Sequence, residues 1–150
     1  MIAAQYGKID TVRCLLDLKA DIMKQRRKLT AMHFAAMYGH ADVLMLLLEH
    51  TGGADVDSFA STSNNTPLML AVRYGHTEVV KLLLDKGADA RRGDGHGWTS
   101  LHRAATAGRT ELVELLLEKV RDLSVKFFDE NERLKGTAHA RIPLLDVSLY

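Results

Sequence analysis

Histidine and cysteine are the side chains best suited to chemistry here, with seven histidines and one cysteine in 150 residues. A zinc site needs such ligands at short, paired spacings. No His–Cys cluster has that spacing, and Cys14 sits inside an apolar run, Val12-Arg-Cys-Leu-Leu16, where it is expected as a small buried hydrophobe. A catalytic thiol would need a partner base and some exposure, and neither is visible. Gly93-Asp94-Gly95-His96-Gly97 is glycine-rich, but it follows no strand and lies in a loop between repeated segments, so it does not read as a phosphate cradle. There is no nucleophile elbow and no pair of catalytic carboxylates. The sequence reads as non-enzymatic, with no cofactor and no small-molecule substrate expected.

What the chain does repeat is a scaffold. Thr30-Ala-Met-His-Phe-Ala-Ala-Met-Tyr-Gly39-His returns as Thr66-Pro-Leu-Met-Leu-Ala-Val-Arg-Tyr-Gly75-His and as Thr99-Ser-Leu-His-Arg-Ala-Ala-Thr-Ala-Gly108-Arg. A partial fourth copy opens the chain, Ile2-Ala-Ala-Gln-Tyr-Gly7-Lys. Successive turn glycines are 32, 36 and 33 residues apart (Gly7, Gly39, Gly75, Gly108). Three residues after each glycine stands an acid, Asp10, Asp42, Glu78 or Glu111, and an apolar run then closes on Leu16, Leu48, Leu84 or Leu117. A period of this size signals stacked supersecondary units, none of which can bury its apolar face alone.

Each copy contains two helical patterns. The first puts small and apolar residues such as Met32, Ala35 and Ala36 at helical spacing. Thr30, Thr66 and Thr99 occupy its N-cap, Pro67 stands at the first helical position of one copy, and Gly39, Gly75 and Gly108 end it. The second is the run Val43-Leu44-x-Leu46-Leu47-Leu48 and its equivalents, a helix with a broad apolar face. This register places Leu82 in the core of the central copy, so Leu82→Ala is expected to cost roughly 2–5 kcal/mol. Gly87 ends the second helix, and a loop leads to the next threonine.

Helix, turn, helix and loop at this period resemble the ankyrin repeat. The matching residues are Thr66-Pro67-Leu68, Leu101-His102, Ala35-Ala36, Gly75-His76 and Gly87-Ala88-Asp89. The resemblance implies an all-α repeat solenoid, a curved stack of helix pairs with β-hairpin fingers, over residues 1–122 in units of about 1–28, 29–64, 65–97 and 98–122. It also implies that His33 and His102, three residues after their threonines, are structural hydrogen-bonding groups. His40 and His76, after the turn glycine, are expected to help cap the second helices. Lys19 and Val120 replace the glycine that closes the second helix. Val120 is expected to avoid a left-handed backbone, with the last helix running on through Leu116, Val120, Leu123 and Phe127. Asn64 replaces a finger glycine and tolerates the left-handed turn. Residues 123–150 read as a degenerate cap or a disordered tail. The first copy lacks its finger and half a helix, so a longer parent array is expected.

Net charge is +1, from 20 basic and 19 acidic residues, which gives no global pull toward nucleic acid or an anionic membrane. No apolar run is long enough to span a bilayer, and no signal peptide is visible. The absence of paired cysteines suits a reducing compartment, cytoplasmic or nuclear. A monomer, or a part of a longer chain, is expected.

Function therefore falls to surface, and another protein is the expected partner. The two variable positions before each turn glycine belong to the concave face that the resemblance implies: Gln5-Tyr6, Met37-Tyr38, Arg73-Tyr74 and Thr106-Ala107. Tyr6, Tyr38 and Tyr74 form a ladder across adjacent units, and tyrosine is a frequent interface anchor. The fingers add charge through Lys24, Arg26, Arg27 and Lys28 in the first and Arg91 and Arg92 in the third. Candidate partner-binding residues are thus Tyr6, Met37, Tyr38, Arg73, Tyr74, Thr106, Arg26, Arg27, Arg91 and Arg92. Trp98 is expected to pack at a finger base. The alternative reading is a regulatory or substrate-docking segment of a larger enzyme.

Overall fold

A computed structural model describes residues 1–60 and 64–121. The readings made for residues 123–150 lie outside them. Seven helices follow in order: α1 (Ile2–Gln5), α2 (Ile9–Asp17), α3 (Ala31–Tyr38), α4 (Ala41–Thr51), α5 (Pro67–Tyr74), α6 (Thr77–Asp85) and α7 (Ser100–Thr106). An eighth, α8, begins at residue 110 and continues to residue 121.

Local chemistry sets the boundaries. Thr30, Thr66 and Thr99 take extended backbone at the N-caps of α3, α5 and α7. The Thr66 hydroxyl accepts from the Met69 amide, and Thr30 and Thr99 form full capping boxes with His33 and His102. Gly39 and Gly75 close α3 and α5 at φ 79°, a conformation that costs a residue with a Cβ. Their Cβ positions are also filled: one on Gly39 would stand 2.6 Å from the His76 ring, and one on Gly75 would overlap the Arg109 guanidinium. Lys19 accepts the left-handed conformation at φ 56° and Asn64 at φ 49°, whereas Val120 stays within α8.

The first helices stack as α1–α3–α5–α7 and the second as α2–α4–α6, which builds two layers with a continuous core. Alanines at the closest approaches, Ala4, Ala35, Ala36, Ala71 and Ala104, are fully buried. In the second helices two apolar pairs alternate. Val43 and Leu47, Val79 and Leu83, and Leu112 and Leu116 are buried, while their counterparts Thr11 and Leu15 are exposed. Only the first copy has no preceding unit among the described residues, so this pair faces backward along the stack. The other pair, Val12 and Leu16, Leu44 and Leu48, Val80 and Leu84, is buried in all three copies and faces forward.

The structure corrects four expectations. Cys14 is exposed, because the face of α2 that is covered runs through Val12 and Leu16, a half-turn away. Leu82 is only half-buried, and Leu83 is the fully enclosed leucine of the central copy. His40 and His76 make no side-chain cap. Instead each ring reaches back one unit, with His40 Nε2 3.0 Å from the Gln5 carbonyl oxygen and His76 Nε2 2.9 Å from that of Met37. The fingers pair less than expected of hairpins: among the described residues they carry isolated antiparallel bridges, Arg26 to Leu29 and Gly93 to Thr99, and no paired strands.

Candidate protein-binding face

Tyr38 and Tyr74 end α3 and α5 and Tyr6 follows the last residue of α1, each one position before the left-handed turn, and all three side chains are exposed. Tyr6, Tyr38 and Tyr74 are 64%, 46% and 47% exposed. Gln5 Nε2 reaches the Tyr38 hydroxyl at 3.4 Å, tying two rungs together, and the Arg73 guanidinium lies 5.9 Å from the Tyr74 ring centre. Met37 is half-buried and gives its carbonyl to His76.

Beyond Tyr74 the surface dips into a groove of about 250 Å³ lined by Arg73, Trp98, Arg103, Thr106 and Ala107. The structure thus brings two of the expected residues, Arg73 and Thr106, beside Trp98. The indole is half-exposed, tilted 47° against the His102 ring at 6.0 Å, so it presents a face as well as packing on its finger.

Arg103 was not singled out from sequence, yet it organises this groove. It stands four residues after its threonine, where the other copies have the buried Phe34 and Leu70. That swap of an apolar for a cationic residue was the available signal. Its guanidinium donates to Asn65 Oδ1 at 2.7 Å and to Asp94 Oδ2 at 2.5 Å. Asp94 in turn accepts the His96 and Trp98 amides at 2.8 and 3.0 Å, and its side chain is only 5% exposed. Burial alone would raise its pKa, but the two amides and Arg103 outweigh that and hold the carboxyl below its ordinary value. A charge-assisted, partly dry network of this kind fixes the third finger and the Trp98 backbone in place.

The finger cations divide into two sets. In the third finger, Arg91 donates from its amide and Nε to Asp89 Oδ1 at 3.0 and 3.2 Å. Arg92 Nε lies 3.6 Å from Asp57 Oδ2 and its guanidinium 5.0 Å from the Phe59 ring centre. Arg92 thereby joins the bases of neighbouring fingers. In the first finger, Arg27 and Lys28 both take positive φ, 52° and 66°, inside the Arg26–Leu29 bridge. That is a turn for which Asn-Gly is favoured, and a side chain there costs about 1–3 kcal/mol.

Among the described residues no group of three His, Cys, Asp or Glu could hold a metal ion. His33 is wholly buried. Thr30 donates to its Nδ1, so Nε2 carries the proton and donates to the Asn65 carbonyl at 3.0 Å. Burial lowers its pKa despite the opposing carbonyls of Asn65 and Ser58. His102 repeats the threonine contact, with Nδ1 2.8 Å from the Thr99 hydroxyl, at an exposed position. Both are framework.

Two findings place the chain among known proteins. It is 37% identical over 101 residues to the palmitoyltransferase Hip14 of Drosophila melanogaster, an alignment covering 67% of this chain and 16% of that protein's length. The family described as ankyrin repeats (3 copies) matches residues 1–94 and 52–127. Its repeat is the one that the threonine caps, turn glycines and backward-reaching residues build here, and the chain belongs to the ankyrin-repeat family.

Proposed function

We propose that the chain is a non-catalytic module that binds a partner protein across the tyrosine ladder and the Trp98 groove. The observation that carries this reading is the row of exposed tyrosines on successive first helices, running into a groove whose walls are Arg73, Trp98 and Arg103. Large aromatics beside arginine, on a rigid support, are the residues that dominate interface energies. Ankyrin repeats suggest protein–protein interaction and are generally non-catalytic. Tyr6, Met37, Tyr38, Arg73, Tyr74 and Thr106 would contribute the face, and Arg26 and Arg27 a basic rim. Arg91 and Arg92, held by Asp89 and Asp57, would act by keeping the fingers aligned. The place of action would be the cytoplasm or nucleus.

The second reading is supported by the similarity to a protein named as a palmitoyltransferase. In it these repeats dock substrates or regulators for an enzyme domain elsewhere on a longer chain. The choice is tested by sequencing the full-length transcript, where an adjoining enzyme domain would favour this second reading.

The binding face itself is tested by affinity capture from cytosolic lysate with the wild-type chain and a Tyr38→Ala, Tyr74→Ala variant of equal helicity by circular dichroism. Proteins held by the wild type and lost by the variant support the face. Identical captures would assign the ladder to the scaffold.

A further inference from the structure

We propose that the face carrying the tyrosine ladder and the Trp98 groove takes an acidic segment of its partner, one in which a large apolar residue stands close to an aspartate or glutamate. This rests on the protein-binding reading above and names the chemistry of the partner. The groove lies between α5 and α7, inside the described stack, with Arg73, Thr106 and Ala107 around the Trp98 indole.

Charge separates the two helical layers. The first helices, α1, α3, α5 and α7, contain no aspartate or glutamate, and Arg73 and Arg103 are their only permanent charges. The second helices carry acids throughout, such as Asp42 and Glu49 in α4 or Glu78 and Asp85 in α6. In the fingers, Asp57, Asp89 and Asp94 are each tied to an arginine of this chain. Arg103 is committed to Asp94, but Arg73 is exposed and has no ion-pair partner among the described residues. An unpaired guanidinium in the groove wall, on a layer of helices without acids, favours a carboxylate, which it can hold through parallel hydrogen bonds.

The neighbouring polar groups also suit an acceptor-rich partner. Gln5 Nε2 donates to the Tyr38 hydroxyl at 3.4 Å, which leaves the Tyr38 proton for an outside acceptor. Trp98 adds an indole N–H, which only donates. At about 250 Å³ the groove is smaller than the ~300–1,000 Å³ of a small-molecule site, so it seats a single side chain. The Trp98 ring and the Ala107 methyl give that side chain an apolar wall. A lysine or arginine of the partner could stack on an indole, but Arg73 and Arg103 beside it repel a cation. An aliphatic or aromatic residue with a carboxylate a short reach away satisfies ring and guanidinium together. Helices packed about 8–10 Å apart put Tyr38 roughly 15–20 Å from the groove, a span of about five or six extended residues.

The test selects phage-displayed random peptides of about 12 residues, longer than that span, on the wild-type chain. Each enriched peptide is then measured by fluorescence anisotropy on the wild type, on Arg73→Glu, on Arg73→Lys and on the Tyr38→Ala, Tyr74→Ala variant. These side chains are exposed, and circular dichroism verifies that each variant is folded. The enriched peptides are expected to carry aspartate or glutamate within a few positions of a large apolar residue. Their affinity should fall at least about fivefold in Arg73→Glu. It should fall less in Arg73→Lys, which keeps the charge and loses the fork, and it should weaken with added salt. Peptides that are neutral or basic, or that ignore Arg73→Glu, while being lost from the tyrosine variant, overturn the acidic assignment and leave the binding face standing. Peptides that bind the tyrosine variant as well as the wild type, or no enrichment at all, overturn both.

Discussion

The unit built from α1 and α2 and the unit built from α5 and α6 share one pattern, yet one is largely surface and the other largely core. Leu15 and Leu83 hold equivalent positions, eight residues after a turn glycine, and are 40% and 0% exposed. Nothing in their local sequence differs enough to explain this. The neighbours do: among the described residues α6 meets α4 on one side and, through Lys81–Glu111 and Asp85–Lys119, α8 on the other, whereas the second helix beside α2 is α4. In a solenoid the worth of an apolar residue is set by stack position as much as by its own helix.

That difference has measurable size. Leu83→Ala should be the most damaging change, costing roughly 2–5 kcal/mol by denaturant melts, because a wholly enclosed leucine leaves a cavity. Both flanking units should be weakened with it. A loss below about 1 kcal/mol would mean that the central helix can repack. Gly39→Ala should come next, at about 1–3 kcal/mol, since it forces a Cβ into a left-handed turn and against the His76 ring. A milder result there would show that the ring swings away freely.

Protonation of His33 should follow. Its pKa is lowered in the folded chain, so the unfolded chain binds the proton more readily. Its contribution to stability is complete above the unfolded value of about 6.5 and declines as pH falls through the window below it. Melts of wild type and His33→Asn at neutral and mildly acidic pH should therefore converge on acidification; a constant gap would remove the histidine as the cause. The smallest effect is expected for Leu15→Ala, within about 0.5 kcal/mol, as for other surface changes. A loss as large as that of Leu83→Ala would show that the Leu15 side of α2 is covered in solution.

Much of this architecture was legible because capping and turn chemistry are local. Thr30, Thr66, Thr99, Pro67, Gly39 and Gly75 each act within a few residues, so sequence spacing alone located them. The errors came where a neighbour decides. Cys14 shares its register with Leu46 and Leu82, a slot that is only half-covered even inside the stack. His40 and His76 sit at helix starts, where a cap is the short-range reading, but their partners lie 35 and 39 residues away. Arg103 was legible only as an oddity, a cation in the slot of Phe34 and Leu70, and its ties to Asn65 and Asp94 needed the folded loops. The exposure of the tyrosine ladder followed from its place beside the turns, whereas the groove at Trp98 required two units to meet.

The backward reach of His40 and His76 bears on how such a chain can change length. The second copy carries one hand extended to its predecessor, the His40 ring after its turn glycine. It also carries one grip offered to its successor, the carbonyl two residues before that glycine. Excising one whole period, residues 40–75, would set His76 directly after Gly39, facing the carbonyl of Gln5. The joint would close as before. A repeat that holds both halves of its own coupling can be gained or lost by recombination without redesign of the seam.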